Sequence, residues 1–381
     1  LCQGLQAAGH TVTLATNPTL CDLVEAHGVK SAPVGPPVDM GIEGARLLEK
    51  SFNNMWIGML RVMRLGSQLV EAAYPEVLEL SRNVDLIVTS DTGSGVAEAE
   101  KLGVPWISVT LQPARVPLDN PEPTLLQRLI WGAFGKLLVL PFNRSRKRLG
   151  APPVTDITDM LSKRMILLPV SRHVAPPAPN RPTHVRQTGY WFARPQTGWQ
   201  PPEDLLAFLE AGPKPIVVSL GVMSVSGKRA RQSAEIVLAA IRQAGLRAIV
   251  QGWNDMLPEL DIPESVYPAG SMPHAWLFDQ ASAIVHHGGF GTTAAALRAG
   301  VPSILIPHVI DQFYWGQRVF ELNVGPQFIS RGKLTAENLA AAITQAMEDE
   351  KMRTRAAELG MAIRAEPDGV TLAVAEIERA I

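Results

Sequence analysis

Residues 282–312 read SAIVHHGGFGTTAAALRAGVPSILIPHVIDQ, and this stretch decides the fold class. An apolar run ends at His286 and His287, four residues with three glycines turn the chain, and an alanine-rich segment of helical character follows. Gly300 ends this predicted helix before a second apolar run at 303–306. A strand, a glycine turn, a helix and a strand in this order predict a βαβ unit and therefore a parallel sheet.

The same alternation of strand-like and helical segments runs through both halves of the 381-residue chain. Runs of β-branched and apolar residues predict strands at 11–15, 85–90 and 106–110 in the first half, and at 215–220 and 247–251 in the second. Parallel strands joined by helices predict an α/β fold of two Rossmann-like, doubly wound domains that face each other across a cleft.

A change of composition separates the two halves. Residues 169–202 are rich in proline and poor in helical periodicity, which is typical of an extended connector. We therefore predict an N-terminal domain at 1–198, a C-terminal domain at 199–365, and a final helix at 366–381 that packs back on the first domain. In such folds ligands bind at the carboxyl ends of the strands, so we expect the functional site there.

Composition narrows the range of partners. With 35 Lys and Arg against 36 Asp and Glu, the chain lacks the positive charge that nucleic-acid binding requires. The two cysteines, Cys2 and Cys21, are too few for a disulfide framework and indicate a cytoplasmic protein. No apolar stretch has the length of a membrane span, and we expect no membrane contact unless the basic cluster at 144–148 serves a lipid ligand. No feature indicates an oligomeric state.

The glycine turn and the helix after it suit an anionic ligand. Glycines let the backbone approach a ligand closely, and the first amides of a helix have no partner inside the helix. With the positive end of the helix dipole, these amides would bind a diphosphate. Beyond the next strand, Asp311 and Gln312 place a carboxylate beside an amide, a pair suited to the vicinal hydroxyls of a sugar. A glycine turn alone can also be purely structural.

The motif HHGGFGTT…AGVPSILIPHVIDQ resembles the family 1 glycosyltransferases of the GT-B fold, especially bacterial natural-product and sterol glucosyltransferase-like members. The segments GHTVTLAT, AEKLGVP and NRSRKRLGAPP extend the resemblance into the first half. It implies inverting, metal-independent transfer of a hexose from a nucleotide diphosphate sugar, with no further cofactor, to a hydroxyl of a small apolar acceptor such as a sterol, polyketide or flavonoid. The Asp311-Gln312 pair favours UDP-glucose as the donor.

The resemblance also assigns site residues. The glycine turn is expected at the diphosphate, the residues after the second strand at the sugar, and Met272 along the nucleobase. Ser271 stands near the position of a base-stacking tryptophan in plant relatives, so it leaves the choice of nucleobase open. The expected donor-binding residues are Gly221, Met272, His287, Gly289, Gly291, Thr292, Asp311 and Gln312.

The catalytic base is expected outside the numbered chain. Because the sequence starts at Leu1 within a predicted helix, we expect a strand and a loop before it, and relatives carry their base in that loop. Asp91, after the predicted strand 85–90, is the candidate to orient the base, with a simple helix cap as its alternative. His10 reads as part of an ordinary turn between a helix and a strand.

Other site types and functions remain possible at this point. His286 and His287 are adjacent on a strand and point to opposite faces, so we expect no metal site. Two alternatives to a transferase keep the nucleotide-sugar site: a GT-B nucleotide-sugar 2-epimerase, and a binding protein without catalysis. The Asp311-Gln312 pair argues against the epimerase, which would need acidic and basic groups around the sugar.

Overall fold

The structure of the chain is a computed structural model. The chain divides into two compact units. Their boundaries follow residues 191 and 366, and the sequence predicted divisions after residues 198 and 365. Unit 1 is Leu1–Trp191 with Pro367–Ile381, and unit 2 is Phe192–Glu366. The described residues are 1–38, 43, 55–90, 93–116, 139–193, 198–221, 228–252, 260–308 and 310–381.

Unit 1 contains two parallel sheets. The two-stranded sheet pairs β1 with β2, and the four-stranded sheet has the order β3-β4-β5-β6. The strands are β1 (Thr13–Thr16), β2 (Lys30–Pro33), β3 (Ile87–Ser90), β4 (Trp106–Val109), β5 (Ile166–Leu168) and β6 (Val185–Gln187). The helices are α1 (Cys2–Ala7), α2 (Cys21–Ala26), α3 (Met55–Leu80) and α4 (Val96–Leu102), and residues 139–148 are also helical.

Unit 2 contains one five-stranded parallel sheet with the order β11-β10-β7-β8-β9. Its strands are β7 (Ile216–Ser219), β8 (Ala248–Gln251), β9 (Val266–Ala269), β10 (Ile284–His286) and β11 (Ser303–Leu305). Its helices are α5 (Glu203–Glu210), α6 (Lys228–Ala244), α7 (His274–Asp279), α8 (Phe290–Ala299), α9 (Ile310–Glu321), α10 (Ala336–Glu348) and α11 (Glu350–Arg364). The last helix, α12 (Gly369–Glu378), belongs to unit 1, where Ala373, Val374 and Ile377 share a buried cluster with Leu5.

The strand order of unit 2 creates a site at the sheet edge. The chain leaves β7 towards β8 and β9, then returns to build β10 and β11 on the other side of β7. All residues of β7 and β10 are buried, as expected for central strands of a parallel sheet that is covered on both faces. The strand order therefore reverses between β7 and β10, and ligands in doubly wound sheets bind at the carboxyl ends of such strands.

The α/β fold and the predicted strands at 215–220, 247–251, 282–286 and 303–306 are confirmed, with ends that differ by one or two residues. The sequence did not predict β5, β6 or β9. β6 lies inside the segment interpreted as an extended connector, and at three residues it is too short to show alternation. β9 contains Pro268 and lies at the edge of the sheet, the place where a strand tolerates proline.

Two glutamates on α4 of unit 1 have opposite surroundings. Glu98 is 1% exposed, and neither carboxylate oxygen has a hydrogen-bond partner among the described residues. Burial raises the pKa of Glu98, while the nearby backbone amides of Glu98 and Gly95 and the charge of Arg146 act against this increase. Glu100, in contrast, accepts a hydrogen bond from Arg146 Nη2 at 2.7 Å. Burial is therefore unfavourable for the Glu98 carboxyl, whereas the exposed Glu100 pairs with the buried guanidinium of Arg146.

We predict opposite stability changes for substitutions of these glutamates. Glu98→Leu removes two buried oxygens without partners and should raise the free energy of unfolding of unit 1 by about 1–3 kcal/mol. Glu100→Gln leaves the buried guanidinium of Arg146 without its ionic partner and should lower that free energy by about 1–3 kcal/mol. Urea-induced unfolding near neutral pH measures both changes. A Glu98→Leu variant less stable than the wild type would contradict the first expectation.

Candidate functional site

The site lies where β7, β10 and β11 end at the same edge of the sheet in unit 2. These three strands are parallel neighbours, with His286 paired to Ser219 on one side and to Leu305 on the other. The residues that follow them therefore emerge side by side. Gly221 comes after β7 and His287 directly after β10. The edge thus collects most of the predicted donor-binding residues.

The ring of His287 is packed against two glycines. A Cβ atom on Gly221 would lie 2.7 Å from His287 Cε1, and one on Gly289 would lie 2.4 Å from His287 Nε2. Both distances are too short for any other residue, and Gly221 also has a φ of +72° in the left-handed region. The histidine therefore occupies a slot that only this pair of glycines leaves open.

Position 288 in the turn also requires glycine, for a conformational and a steric reason. Its φ is +89°, and a Cβ atom there would lie 3.0 Å from Leu305 Cδ2 and 3.1 Å from the Gln312 carbonyl oxygen. The turn is thereby pressed onto β11 and the start of α9. Its backbone N–H donates to His286 Nδ1 at 3.2 Å, which places the proton of that buried ring on Nε2.

The N-terminus of α8 is open to a ligand. Its N-cap residue is Gly289, which has no side chain to accept from the first amides. The amides of Gly291 and Thr292 make no hydrogen bond with the described residues, whereas the N–H and the hydroxyl of Thr293 both donate to the Gly289 carbonyl at 2.9 Å. Gly291 is exposed, and a Cβ atom on it would meet none of the described residues within 4 Å.

The histidines at this edge are neutral. Burial lowers the pKa of His287, although the backbone of Ser219 acts against this decrease. Burial lowers the pKa of fully buried His286 further, and His287 and His274 lower it as well. Among the described residues, neither His287 Nδ1 nor His286 Nε2 has a hydrogen-bond partner. The imidazoles at this edge are therefore uncharged, and two of their nitrogens are not used in hydrogen bonds to the described residues.

Asp311 and Gln312 lie in the first turn of α9. Asp311 is half-buried, and Gln312 is 4% exposed with its Oε1 accepting from the backbone N–H of His308 at 2.7 Å. The His308 ring lies 6.3 Å from the His287 ring, measured between centroids. Burial, with Arg331 and His287, lowers the pKa of His308 to about 3. Gln312 therefore positions the segment that carries His308, a contact the sequence did not reveal.

A network that the sequence reasoning missed anchors the loop with Met272. Ser219 Oγ donates to Gln251 Oε1 at 2.9 Å, and His274 Nε2 bonds the same oxygen at 3.1 Å. Gln251 Nε2 donates to the Gly270 carbonyl at 3.2 Å. Gln251 is the last residue of a predicted strand, and a polar residue at that position was the available signal. Loop residues 270–274 are thereby tied to the ends of β7 and β8.

The described residues bring together Gly221, His287 and Gly289, with Gly291 and Thr292 on the adjoining helix. One residue named from the sequence, Asp91, which was expected to orient the base, lies outside the described residues.

The described residues contain neither a candidate metal centre nor a candidate membrane span. No group of three or more His, Cys, Asp or Glu side chains in them could hold a metal ion. None of their helices combines the length and apolar character that a membrane crossing requires.

Acid should lower the free energy of unfolding of unit 2 because these histidines have lowered pKa values. A histidine with a lowered pKa stays neutral in the folded chain, while the unfolded chain binds a proton once the pH falls below about 6.5. For His308 the stability present above the unfolded pKa of 6.5 is lost as the pH falls towards about 3.

We predict that His308→Phe reduces the loss of unfolding free energy between about pH 7 and about pH 5 by roughly 1–2 kcal/mol. The matched control is His173→Phe at an exposed position, which should keep the wild-type dependence on pH. Urea titrations at both pH values measure the difference. An unchanged pH dependence in His308→Phe would contradict the neutral state of its imidazole.

Comparison with known proteins agrees with this geometry. Residues 236–378 match the profile of the erythromycin biosynthesis protein CIII-like C-terminal domain. The sterol 3-beta-glucosyltransferase of Neosartorya fischeri is 32% identical over 413 residues, an alignment that covers 100% of this chain and 28% of that protein. The chain thus spans less than a third of the length of this curated relative.

Solved structures share the fold over nearly their whole length. The calicheamicin glycosyltransferase CalG4 superposes with a TM-score of 0.71 at 19% identity, over 99% of this chain and 92% of that one. The glycosyltransferase VinC in complex with dTDP superposes with a TM-score of 0.70 at 20% identity, over 100% and 94%. The motif around the glycine turn, the sheet order and these similarities agree: the chain has the GT-B fold, and its sequence is similar to family 1 glycosyltransferases.

Proposed function

We propose that the protein is an inverting glycosyltransferase that moves a hexose from a nucleotide diphosphate sugar to a hydroxyl of a small apolar acceptor. UDP-glucose is the proposed donor and a sterol the first acceptor to test, with polyketides and flavonoids next. The name of the Neosartorya fischeri relative, a sterol 3-beta-glucosyltransferase, supports glucose and a sterol. The dTDP in the VinC complex supports a nucleoside diphosphate as the bound half of the donor.

The observation that carries the proposal is the open N-terminus of α8. The amides of Gly291 and Thr292, which have no acceptor among the described residues, lie at the positive end of a helix dipole beside the His287 ring. A diphosphate is the ligand that such a terminus binds best, because several oxygens accept at once and the negative charge is favoured there. The open space beside Gly291 leaves room for the ligand to approach the backbone.

The same groups would assist the chemistry. In an inverting transfer the acceptor oxygen attacks the anomeric carbon while the bond to the diphosphate breaks on the opposite face. Negative charge then develops on the departing diphosphate, and fixed amide donors stabilise that charge without rearranging. A general base takes the acceptor proton, and Asp91, outside the described residues, is proposed to orient it. Asp311 and Gln312 are proposed to hold the sugar.

We predict that Gly291→Ala weakens nucleotide binding without weakening the fold. The added methyl group meets no atom of the described residues within 4 Å but would occupy the space of the ligand. The dissociation constant for UDP should rise about ten-fold or more, while stability stays equal or rises by up to about 1 kcal/mol because alanine favours helix. Calorimetric titration and thermal melting measure the two effects.

The matched control is Gly66→Ala in α3, another helical glycine with nothing within 4 Å of its Cβ position. It should gain similar stability and bind UDP as the wild type does. Wild-type affinity for UDP in Gly291→Ala would contradict a diphosphate at this helix terminus.

We predict that His287→Ala and Asp311→Ala abolish sugar transfer while the protein stays folded, and that the wild type remains active in excess EDTA. Release of nucleoside diphosphate from a panel of nucleotide sugars, with sterol, polyketide and flavonoid acceptors, measures transfer. Full turnover in both variants would defeat the site assignment. A strict requirement for a divalent metal would contradict charge stabilisation by the helix terminus. Consumption of donor without acceptor would instead indicate an epimerase.

A further inference from the structure

His308 stands beside the proposed diphosphate site and has no part in the assignment above. It follows β11, the strand next to β10, so it leaves the sheet at the same edge as His287. Gln312 Oε1 accepts from its backbone N–H at 2.7 Å and fixes the position of its main chain. The two imidazole rings lie 6.3 Å apart with 40° between their planes.

Both rings carry a buried nitrogen with an unused hydrogen-bonding capacity. Nδ1 of His287 and Nδ1 of His308 have no partner among the described residues. A histidine that serves packing alone normally has its buried nitrogens bonded, since an unsatisfied polar atom costs about 1–3 kcal/mol. Both rings can therefore offer a hydrogen bond to a ligand that reaches them.

The electrostatic surroundings favour an anion between these rings. Arg331 contributes positive charge next to His308, and the N-terminus of α8 contributes the positive end of its dipole next to His287. His274 and His286 are the other titratable groups beside His287, and burial lowers the pKa of both. The described groups that influence the pKa of His308 are Arg331 and His287, neither of which is negative, so a bound anion would stabilise its protonated form.

We propose that His308 is a second imidazole of the diphosphate site, which hydrogen-bonds the bound nucleoside diphosphate together with His287 and takes up a proton when that ligand binds. The inference rests on the proposed function, since it needs a diphosphate at the α8 terminus. It goes further by linking donor affinity to pH and by giving Gln312 a positioning role through the His308 backbone.

Calorimetric titration of the full protein tests this linkage. UDP or dTDP, whichever binds the wild type more tightly, is titrated near pH 6 in two buffers of different ionisation enthalpy, and the difference gives the protons taken up. The matching nucleoside is titrated in parallel. The wild type should take up protons with the diphosphate and none with the nucleoside.

Two variants separate hydrogen bonding from protonation. His308→Phe should weaken diphosphate binding by about ten-fold, the loss of one hydrogen bond to a charged group, and leave nucleoside binding unchanged. His308→Asn keeps a donor that cannot titrate, so it should retain more affinity but lose proton uptake. Exposed His173→Phe serves as the control and should match the wild type in both measurements.

Wild-type affinity and proton uptake in both His308 variants would overturn the inference. If His287→Ala also binds the diphosphate normally, or the wild type does not bind it, the proposed function fails as well. If His287→Ala loses diphosphate binding while both His308 variants keep wild-type affinity and proton uptake, the proposed function stands and only this extension is refuted. A lower melting temperature with unchanged proton uptake would show a purely structural role for His308.

Discussion

The arrangement of the site depends on the packing of one imidazole ring between two backbone segments. His287 lies against Gly221 after β7 and Gly289 before α8, and a Cβ atom at either position would overlap the ring. This contact joins the end of the first strand of unit 2 to the start of the helix that follows its fourth strand. The ring, the turn and the helix terminus are therefore positioned together, and none can move without the others.

Burial of these groups has an electrostatic consequence. Taking imidazoles out of water makes protonation unfavourable, so the edge of the sheet is neutral although it carries four histidines, His274, His286, His287 and His308. The amide donors of α8 and the nearby Arg331 then supply the positive potential beside these neutral rings. A site of this type has little affinity for protons until an anion arrives, which links ligand charge to protonation.

Two glutamine side chains near the His287 ring hold the neighbouring segments in place. Gln312, buried and bonded to the His308 backbone, holds the segment after β11, and Gln251 ties the loop with Met272 to Ser219 at the end of β7. Amide side chains suit this role because one group can donate and accept at once. Elsewhere, the Glu98 carboxyl in unit 1 is buried, and no amide side chain among the described residues bonds to it.

The sequence by itself determined the α/β class, the strands of unit 2 around the glycine turn, and the residues of the motif, because these follow from local periodicity and from the conformational needs of glycine. It did not reveal β9, where Pro268 hides an edge strand, or β6, which is too short to show a pattern. Only the tertiary structure decided that Gly221 and Gly289 enclose His287, that Gln312 bonds His308, and that Gln251 joins Ser219 to His274. Apart from the local bond between Gln312 and His308, these contacts join residues at or after the ends of different strands, and strand order sets which of them meet.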